Sequence, residues 1–403
     1  MMLSEAAETH RNRIQSSVPR DDSSDDEVSA CPLLDCYVSK GGPDTLKTMT
    51  NFTESEFDYI STRMNTHVQS TWNVGRGRKS KHQPKDVLFM TLTVLKHPST
   101  WQMSGLMFDM KGPTFQKLIM GYLEIIGPEL YKFAVTRMNS KYTMKKEMLE
   151  GQVFSTFDFC RYATDVTFQQ TNRPSGNMRE GKLYFSGKHK LYGYKTEVSV
   201  IPRGYAIGCS KHRPGSISDI DIFYDNLDFH ESSVAKGSDM AELDDDGELN
   251  DTYPNQWGIL GDKGYQGGTR HIRMIHPVKK PINGTLTADE KVFNEELSSD
   301  RIIVENYFGR LSSLWTVMSN KYKWNEDTYD LVFRTCVALT NIHVKFNPLR
   351  DSDQSFYKSL QNYLVNTGDN ISRKRARSQE LYRDRVRRRL AMEFDDLPEY
   401  DSM

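Results

Sequence analysis

Ile259-Leu260-Gly261-Asp262-Lys263-Gly264-Tyr265-Gln266-Gly267 is a short apolar run that ends on an acid and then turns through glycines. Such a run predicts a buried strand that delivers a carboxylate to its own C-terminal end, because glycine permits the sharp turn and leaves room beside the acid. Two further acids stand in comparable contexts. Asp165 lies mid-strand among Ala163, Val166 and Phe168, where an unpaired carboxylate is costly to desolvate. Glu305 lies on a predicted helix whose Val304, Phe308, Leu311 and Trp315 form the packed stripe, so its carboxylate runs along the sheet surface.

Carboxylates held at strand ends over an open cleft suit Mg²⁺, which takes oxygen ligands and keeps several waters. Two Asp from neighbouring strands and one Glu from a helix laid across them can share two divalent ions. A pair about 4 Å apart stabilises both the attacking and the leaving oxygen in phosphodiester cleavage. Mg²⁺ or Mn²⁺ suits an all-oxygen set, whereas zinc favours His and Cys. Each acid also has a plain alternative: Asp165 can pair with a lysine of residues 182–195, Asp262 can hold its glycine turn, and Glu305 can pair with Arg301 one helical turn earlier. Glu197, on a strand near Asp165, is the rival for a ligand position.

The 403-residue chain has length for two or three domains. Its mean hydropathy is −0.65, no apolar run approaches the roughly 20 residues of a membrane span, and the polar first 20 residues do not read as a signal peptide. The five cysteines (31, 36, 160, 209 and 336) are scattered, which argues against a disulfide framework or a zinc ribbon. A net charge of −1 conceals segregation. Acid collects at 21–27, 242–248 and the last ten residues, and base at 76–85, 182–195 and 373–389, a distribution compatible with nucleic-acid binding.

Residues 1–50 read as a disordered, Ser/Asp/Glu-rich tail. Residues 51–150 read as a helical domain. Thr53 and Glu56 form a capping box, residues 85–96 are too apolar for a surface helix, and Ser99 caps a short helix over 101–108. A tight turn then leads to Pro113 at the start of a third helix, a helix-turn-helix layout in which Gln116 and Lys117 are the groove candidates. A plain helical bundle is the alternative. Residues 151–350 read as a mixed α/β domain. Strands are expected at 162–169, 191–201, 205–210 and 257–260, and helices at 216–227, from the Thr287 capping box to 315, and at 329–344. An acidic, mobile insertion at 230–253 interrupts it. Residues 351–403 read as a polar tail with a basic helix.

The ordered set Asp165-Val166-Thr167-Phe168-Gln169, residues 184–193 (YFSGKHKLYG), Pro214-Gly215-Ser216-x-x-Asp219, Gly261-Asp262-Lys263-Gly264-Tyr265 and Val304-Glu305-Asn306-Tyr307-Phe308-Gly309-Arg310-Leu311 strongly resembles the DDE superfamily endonucleases, in particular PIF/Harbinger-like transposases and proteins derived from them. The resemblance covers about residues 150–350. It implies an RNase H-like catalytic domain, a mixed sheet flanked by helices, preceded by the helix-turn-helix-like helical domain. It further implies Asp165, Asp262 and Glu305 as catalytic metal ligands for Mg²⁺ or Mn²⁺, two ions, with cut-and-paste cleavage and joining of double-stranded DNA at element-terminal repeats.

Weaker expectations attach to other residues. Lys188, His189, Lys190, Lys279 and Lys280 are candidates for DNA phosphate contact, and Asp219 for support of the site or its own helix. Tyr265 and Trp315 read as packing. Arg373, Lys374, Arg375 and Arg377, with Arg385, Arg387, Arg388 and Arg389, read as a nuclear-import signal or a DNA arm, which implies a nuclear protein. A homo-oligomer and an accessory DNA-binding protein are further expectations. The competing reading is a domesticated, non-catalytic DNA-binding or scaffold protein that keeps the fold.

Overall fold

A computed structural model describes residues 31–77, 79–237, 243, 245–282 and 284–395. The expected disorder of residues 1–30, part of the acidic insertion and the acidic C-terminal end lie outside the described residues.

Helices begin earlier than the sequence reading allows. Residues 32–50, expected within a disordered tail, form α1 (Pro32–Gly41) and α2 (Thr45–Thr50). Leu34 and Leu46 join the main core, and the Asp86 carboxylate accepts a hydrogen bond from the Leu34 N–H at 3.0 Å. Two helices this short carry too few apolar residues to show a period; their order comes from what they dock on. α3 (Glu54–Thr71) starts at the Thr53–Glu56 capping box, with both reciprocal hydrogen bonds formed. α4 (Pro84–Lys96) is buried from Asp86 to Leu95. α5 (Trp101–Met107) is capped by Thr100 and not by Ser99, because the Thr100 hydroxyl accepts from the Met103 N–H. α6 (Gly112–Tyr131) follows the tight turn, with Pro113 in its first turn. A π-helical turn (Lys132–Thr136), α7 (Arg137–Lys141) and α8 (Met144–Leu149) lead to the sheet.

Seven strands form the sheet: β1 (Cys160–Gln170), β2 (Phe185–Ser186), β3 (Leu191–Val200), β4 (Ala206–Cys209), β5 (Arg213–Pro214), β6 (Gly258–Leu260) and β7 (Met274–Ile275). The spatial order is β2-β3-β1-β6-β7, with β4 and β5 also paired to β3. β3 is antiparallel to β1 and to β4, whereas β6 is parallel to β1 and β7 parallel to β6. An antiparallel meander continued by two parallel strands is the RNase H-like arrangement. Between the strands lie α9 (Met178–Leu183), α10 (Asp219–Asp225) and α11 (Leu227–Val234).

Both faces of the sheet are covered. One packs Ala163, Val198 and Leu260 into the same core as α12 (Ala288–Leu314), α13 (Thr316–Ser319), α14 (Tyr329–Phe346) and the N-terminal helices. The other packs Tyr162 and Ile259 against Phe223, Val234, Trp257 and Tyr265. The helical region therefore shares one core with the sheet.

The last helix, α15, runs unbroken over Asp353–Asp395, 43 residues. Its first half is not a polar tail. Arg310 grips Asp353 through both guanidinium nitrogens (2.7 and 3.3 Å), and Asn306 Oδ1 accepts the Gln354 N–H at 3.0 Å. Gly309 makes this seat possible, since a Cβ there would stand 1.9 Å from the Asp353 carbonyl oxygen. Farther on, Gly368 lies against the His189 carbonyl, where a Cβ would again come within 1.9 Å. Leu364 packs with Phe168 and Leu191.

The acidic insertion is also more ordered than expected. Residues 230–234 complete α11, and Asp245 is 3% exposed. Its carboxylate receives the fully buried Arg273 guanidinium and the Lys236 ammonium at 2.7 Å. Burial alone would raise the Asp245 pKa, but the Arg273 and Lys236 hydrogen bonds outweigh it and hold the carboxyl below its usual range.

Candidate active site

The strand register brings two of the expected acids together. β1 and β6 run parallel with Ala163 level with Leu260. Asp165 lies two residues farther along β1, and Asp262 two residues past the end of β6 in still-extended backbone, so alternation with period two turns both toward the same face. Glu197 pairs across β1/β3 with Val166, not with Asp165, so it lies on the opposite face. There it is fully buried and accepts hydrogen bonds from His230 (2.7 Å), Tyr265 (3.1 Å) and Asn226 (3.2 Å), which removes it as a rival ligand. Tyr265 thus packs and anchors the turn after Asp262. Trp315, fully buried with its indole N–H on Thr340, is packing as expected.

Asp165 is partly covered. Its Oδ2 accepts from Arg301 at 3.2 Å and its Oδ1 from the Val166 N–H at 2.8 Å. Burial raises its pKa well above the usual carboxylate range, and Asp262 and Asp219 push the same way, against Arg301. Asp262 turns one oxygen back onto its own loop, accepting from the Gly264 N–H at 2.6 Å. A Cβ at Gly264 would stand 2.9 Å from Asp262 Oδ1 and 3.0 Å from Asp219 Oδ2, so both carboxylates crowd that glycine. Asp219 begins α10, with Ser218 as cap, and its Oδ1 accepts from Lys195 at 3.0 Å.

Glu305 does not close on this pair. Its partner is Lys358 of α15, at 3.9 Å, and its side chain is 31% exposed. Arg301, the alternative partner of Glu305 on helical spacing, pairs with Asp165 instead. Tyr357 of α15 feels the charges of both Asp165 and Glu305, and its hydroxyl reaches Thr167 at 3.4 Å. Among the described residues no three His, Cys, Asp or Glu side chains are grouped so as to hold a metal ion. The expected three-carboxylate grip is therefore not assembled in this conformation; Glu305 faces Lys358 of α15 instead. Asp165 and Asp262 by themselves fit a divalent cation: they are oxygen donors, and the charge of Asp262 helps raise the proton affinity of Asp165.

The weaker candidates divide. Lys188, Lys279 and Lys280 are exposed, as are Gln116 and Lys117 on α6. His189 is buried, stacked on Phe168 at 4.4 Å, and its pKa is lowered to about 4 by burial and by Lys188 and Lys195, so it is a packed neutral ring and not a phosphate contact. Lys190 is held by Asp369 of α15 at 2.7 Å. Arg301, Lys195, Tyr357 and Lys358 are the neighbours that sequence reading missed. Arg301 was considered only as the alternative partner of Glu305; Tyr357 and Lys358 fell in a stretch read as tail.

Residues 164–341 match the model of the DDE superfamily endonuclease family. Among curated proteins, the probable transposase for insertion sequence element IS702 of Microchaete diplosiphon is 30% identical over 160 residues, which are 40% of this chain and 48% of that protein. The chain thus spans about half the length of the curated relative it matches. No solved structure matches it.

Proposed function

With residues 164–341 a DDE superfamily endonuclease domain, we propose that this chain is a divalent-cation-dependent DNA endonuclease of the transposase type, with Asp165, Asp262 and Glu305 as its cation ligands. The observation that carries the reading is that Asp165 on β1 and Asp262 just past the end of the parallel β6 stand close enough for the charge of Asp262 to raise the cost of ionising Asp165. Mg²⁺ or Mn²⁺, two ions in full occupancy, would neutralise the phosphate and make a bound water more acidic. The chain's own groups do the rest. Arg301 pairs with Asp165, and it would be available to face a phosphate if Asp165 held a cation. Lys188, Lys279 and Lys280 are exposed to hold the DNA backbone, and Gln116 and Lys117 to enter a groove. Attack on phosphorus releases a 3′ hydroxyl, which in a transposase is the nucleophile for joining. Terminal-repeat DNA, a homo-oligomer, an accessory DNA-binding protein and a nuclear location belong to the same proposal.

A second reading, a non-catalytic DNA-binding or scaffold protein, is favoured by the ion pairs Arg301–Asp165 and Lys358–Glu305, which satisfy two of the three acids without any cation. Incubating the purified chain with candidate terminal-repeat duplex in Mg²⁺, in Mn²⁺ and in chelator separates the two. The endonuclease reading expects nicks that need the divalent ion and vanish in Asp165→Ala, Asp262→Ala and Glu305→Ala while DNA binding persists. Binding without nicking in any divalent condition supports the scaffold reading.

A further inference from the structure

The second half of α15 is largely solvent-exposed; Arg375 lies over the Tyr192 ring at 6.0 Å. From Arg373 to Arg389 its cationic side chains are exposed, and Leu381 and Tyr382 are 51% and 67% exposed. The stretch carries nine cationic residues, Arg373, Lys374, Arg375, Arg377, Arg383, Arg385, Arg387, Arg388 and Arg389, against Glu380 and Asp384. Nine charges that repel one another along one helix are unfavourable without a polyanion. Six of them share one side of the helix: Arg373, Arg377 and Arg388 form one row and Lys374, Arg385 and Arg389 an adjacent row, since steps of four and eleven residues are about one and three helical turns, while Arg375, Arg383 and Arg387 occupy the other side.

The first half of the same helix is fixed to the catalytic domain. Arg310 and Asn306 hold its start, Lys358 meets Glu305, and Asp369 meets Lys190. Because the helix is continuous, the basic half has a set bearing relative to Glu305. At a rise of about 1.5 Å per residue, Arg373 and Arg389 stand roughly 22 and 46 Å along the axis from Lys358. One strand of a duplex rises about 3.4 Å per nucleotide, so this reach corresponds to at most about 14 base pairs.

We propose that residues 373–389 of α15 are a duplex-DNA-binding helix that grips the phosphate backbone within about 14 base pairs of the bond at Glu305. The proposal rests on the DNA reading above and names where the substrate lies. It also makes α15 a ruler, since the half that binds DNA and the half that touches Glu305 are one rigid element.

The test uses the full chain and a variant carrying Arg373→Gln, Lys374→Gln, Arg377→Gln, Arg385→Gln, Arg388→Gln and Arg389→Gln, which keeps helix-forming residues throughout. Equilibrium binding to a duplex is measured by fluorescence anisotropy over a range of salt concentrations without divalent ions, with circular dichroism to verify that helix content is retained. Each lost phosphate contact lowers the steepness of log K against log salt by about 0.9, so loss of at least half of the six lowers it by about 3 or more. An unchanged steepness overturns the inference, and so does a variant that binds DNA normally but no longer accumulates in nuclei, which would make the cluster an import signal alone. Nicking of the same duplex by the wild type in Mg²⁺ and in chelator serves as the separate arm. A protein whose helix variant loses salt dependence but which never nicks DNA upholds this inference while refuting the endonuclease reading.

Discussion

Replacing Asp245 by Ala removes the carboxylate that receives the fully buried Arg273 guanidinium and leaves that cation in the interior. Arg273 would keep the carbonyls of Glu248 (2.8 Å) and Gln256 (3.1 Å), so its guanidinium is not stripped of acceptors. Lys236, 15% exposed, keeps Asn250 Oδ1 at 3.0 Å and the Trp257 ring beneath its ammonium. Breaking a buried ion pair on one side costs about 3–5 kcal/mol, and the two surviving carbonyls place this case near the lower end, about 3 kcal/mol. The control is Asp246→Ala, one residue along in the same acidic run but exposed, which should change stability by no more than about 0.5 kcal/mol. Denaturant unfolding of wild type, both single variants and Arg273→Met/Asp245→Ala completes the comparison, and the double variant should recover most of the loss because no unpaired charge remains. The Asp245 contribution is present above its ordinary pKa of 3.8 and fades as pH falls through the lower folded value. Equal stabilities of Asp245→Ala and Asp246→Ala would refute the reasoning and return the insertion to the mobile loop its composition suggests.

Lys358→Ala should leave stability within about 1 kcal/mol, since the pair with Glu305 is long and Lys358 is 61% exposed. It should tighten Mn²⁺ binding several-fold, measured by titration, because Glu305 is released; unchanged affinity would show that Lys358 does not hold Glu305 back. Gly309→Ala should loosen α15, as its Cβ meets the Asp353 carbonyl at 1.9 Å; a loss of about 1–3 kcal/mol and faster proteolysis of α15 are expected. His212 supplies a pH test. Burial would lower its pKa, but hydrogen bonds to Asp330 and Glu326 outweigh this and raise it above 6.5. The stability it contributes is therefore complete below pH 6.5 and lost as pH rises through the folded value. The deficit of His212→Gln relative to wild type should be largest in acid, and a deficit that grows toward alkaline pH would contradict the assignment.

The strands and long helices were legible because their residues announce themselves locally. The apolar run before Asp262, the β-branched and aromatic 191–201 and the capping boxes at Thr53 and Thr287 specify structure without reference to distant chain. What escaped was decided by partners far away in sequence. α1 and α2 are short and become ordered on α4, and Asp245 looks like one more solvated acid until Arg273 is placed beside it. The first half of α15 reads as polar because its docking face is sparse, built on Tyr357 and Leu364 and on glycines that carry no apolar signal. The candidate site shows the same division. Asp165 and Asp262 were readable from strand context, and the register does bring them level. The orientation of Glu305 was not, because the helix stripe places it along the sheet surface but says nothing of α15, whose Lys358 faces it in the tertiary fold.

The most direct measurement is Mn²⁺ binding to the full chain, followed by paramagnetic resonance of the free ion, for wild type and for Asp165→Ala, Asp262→Ala and Glu305→Ala. The account predicts saturable binding that Asp165→Ala and Asp262→Ala each abolish and Glu305→Ala weakens. Binding that survives unchanged in either aspartate variant would contradict it.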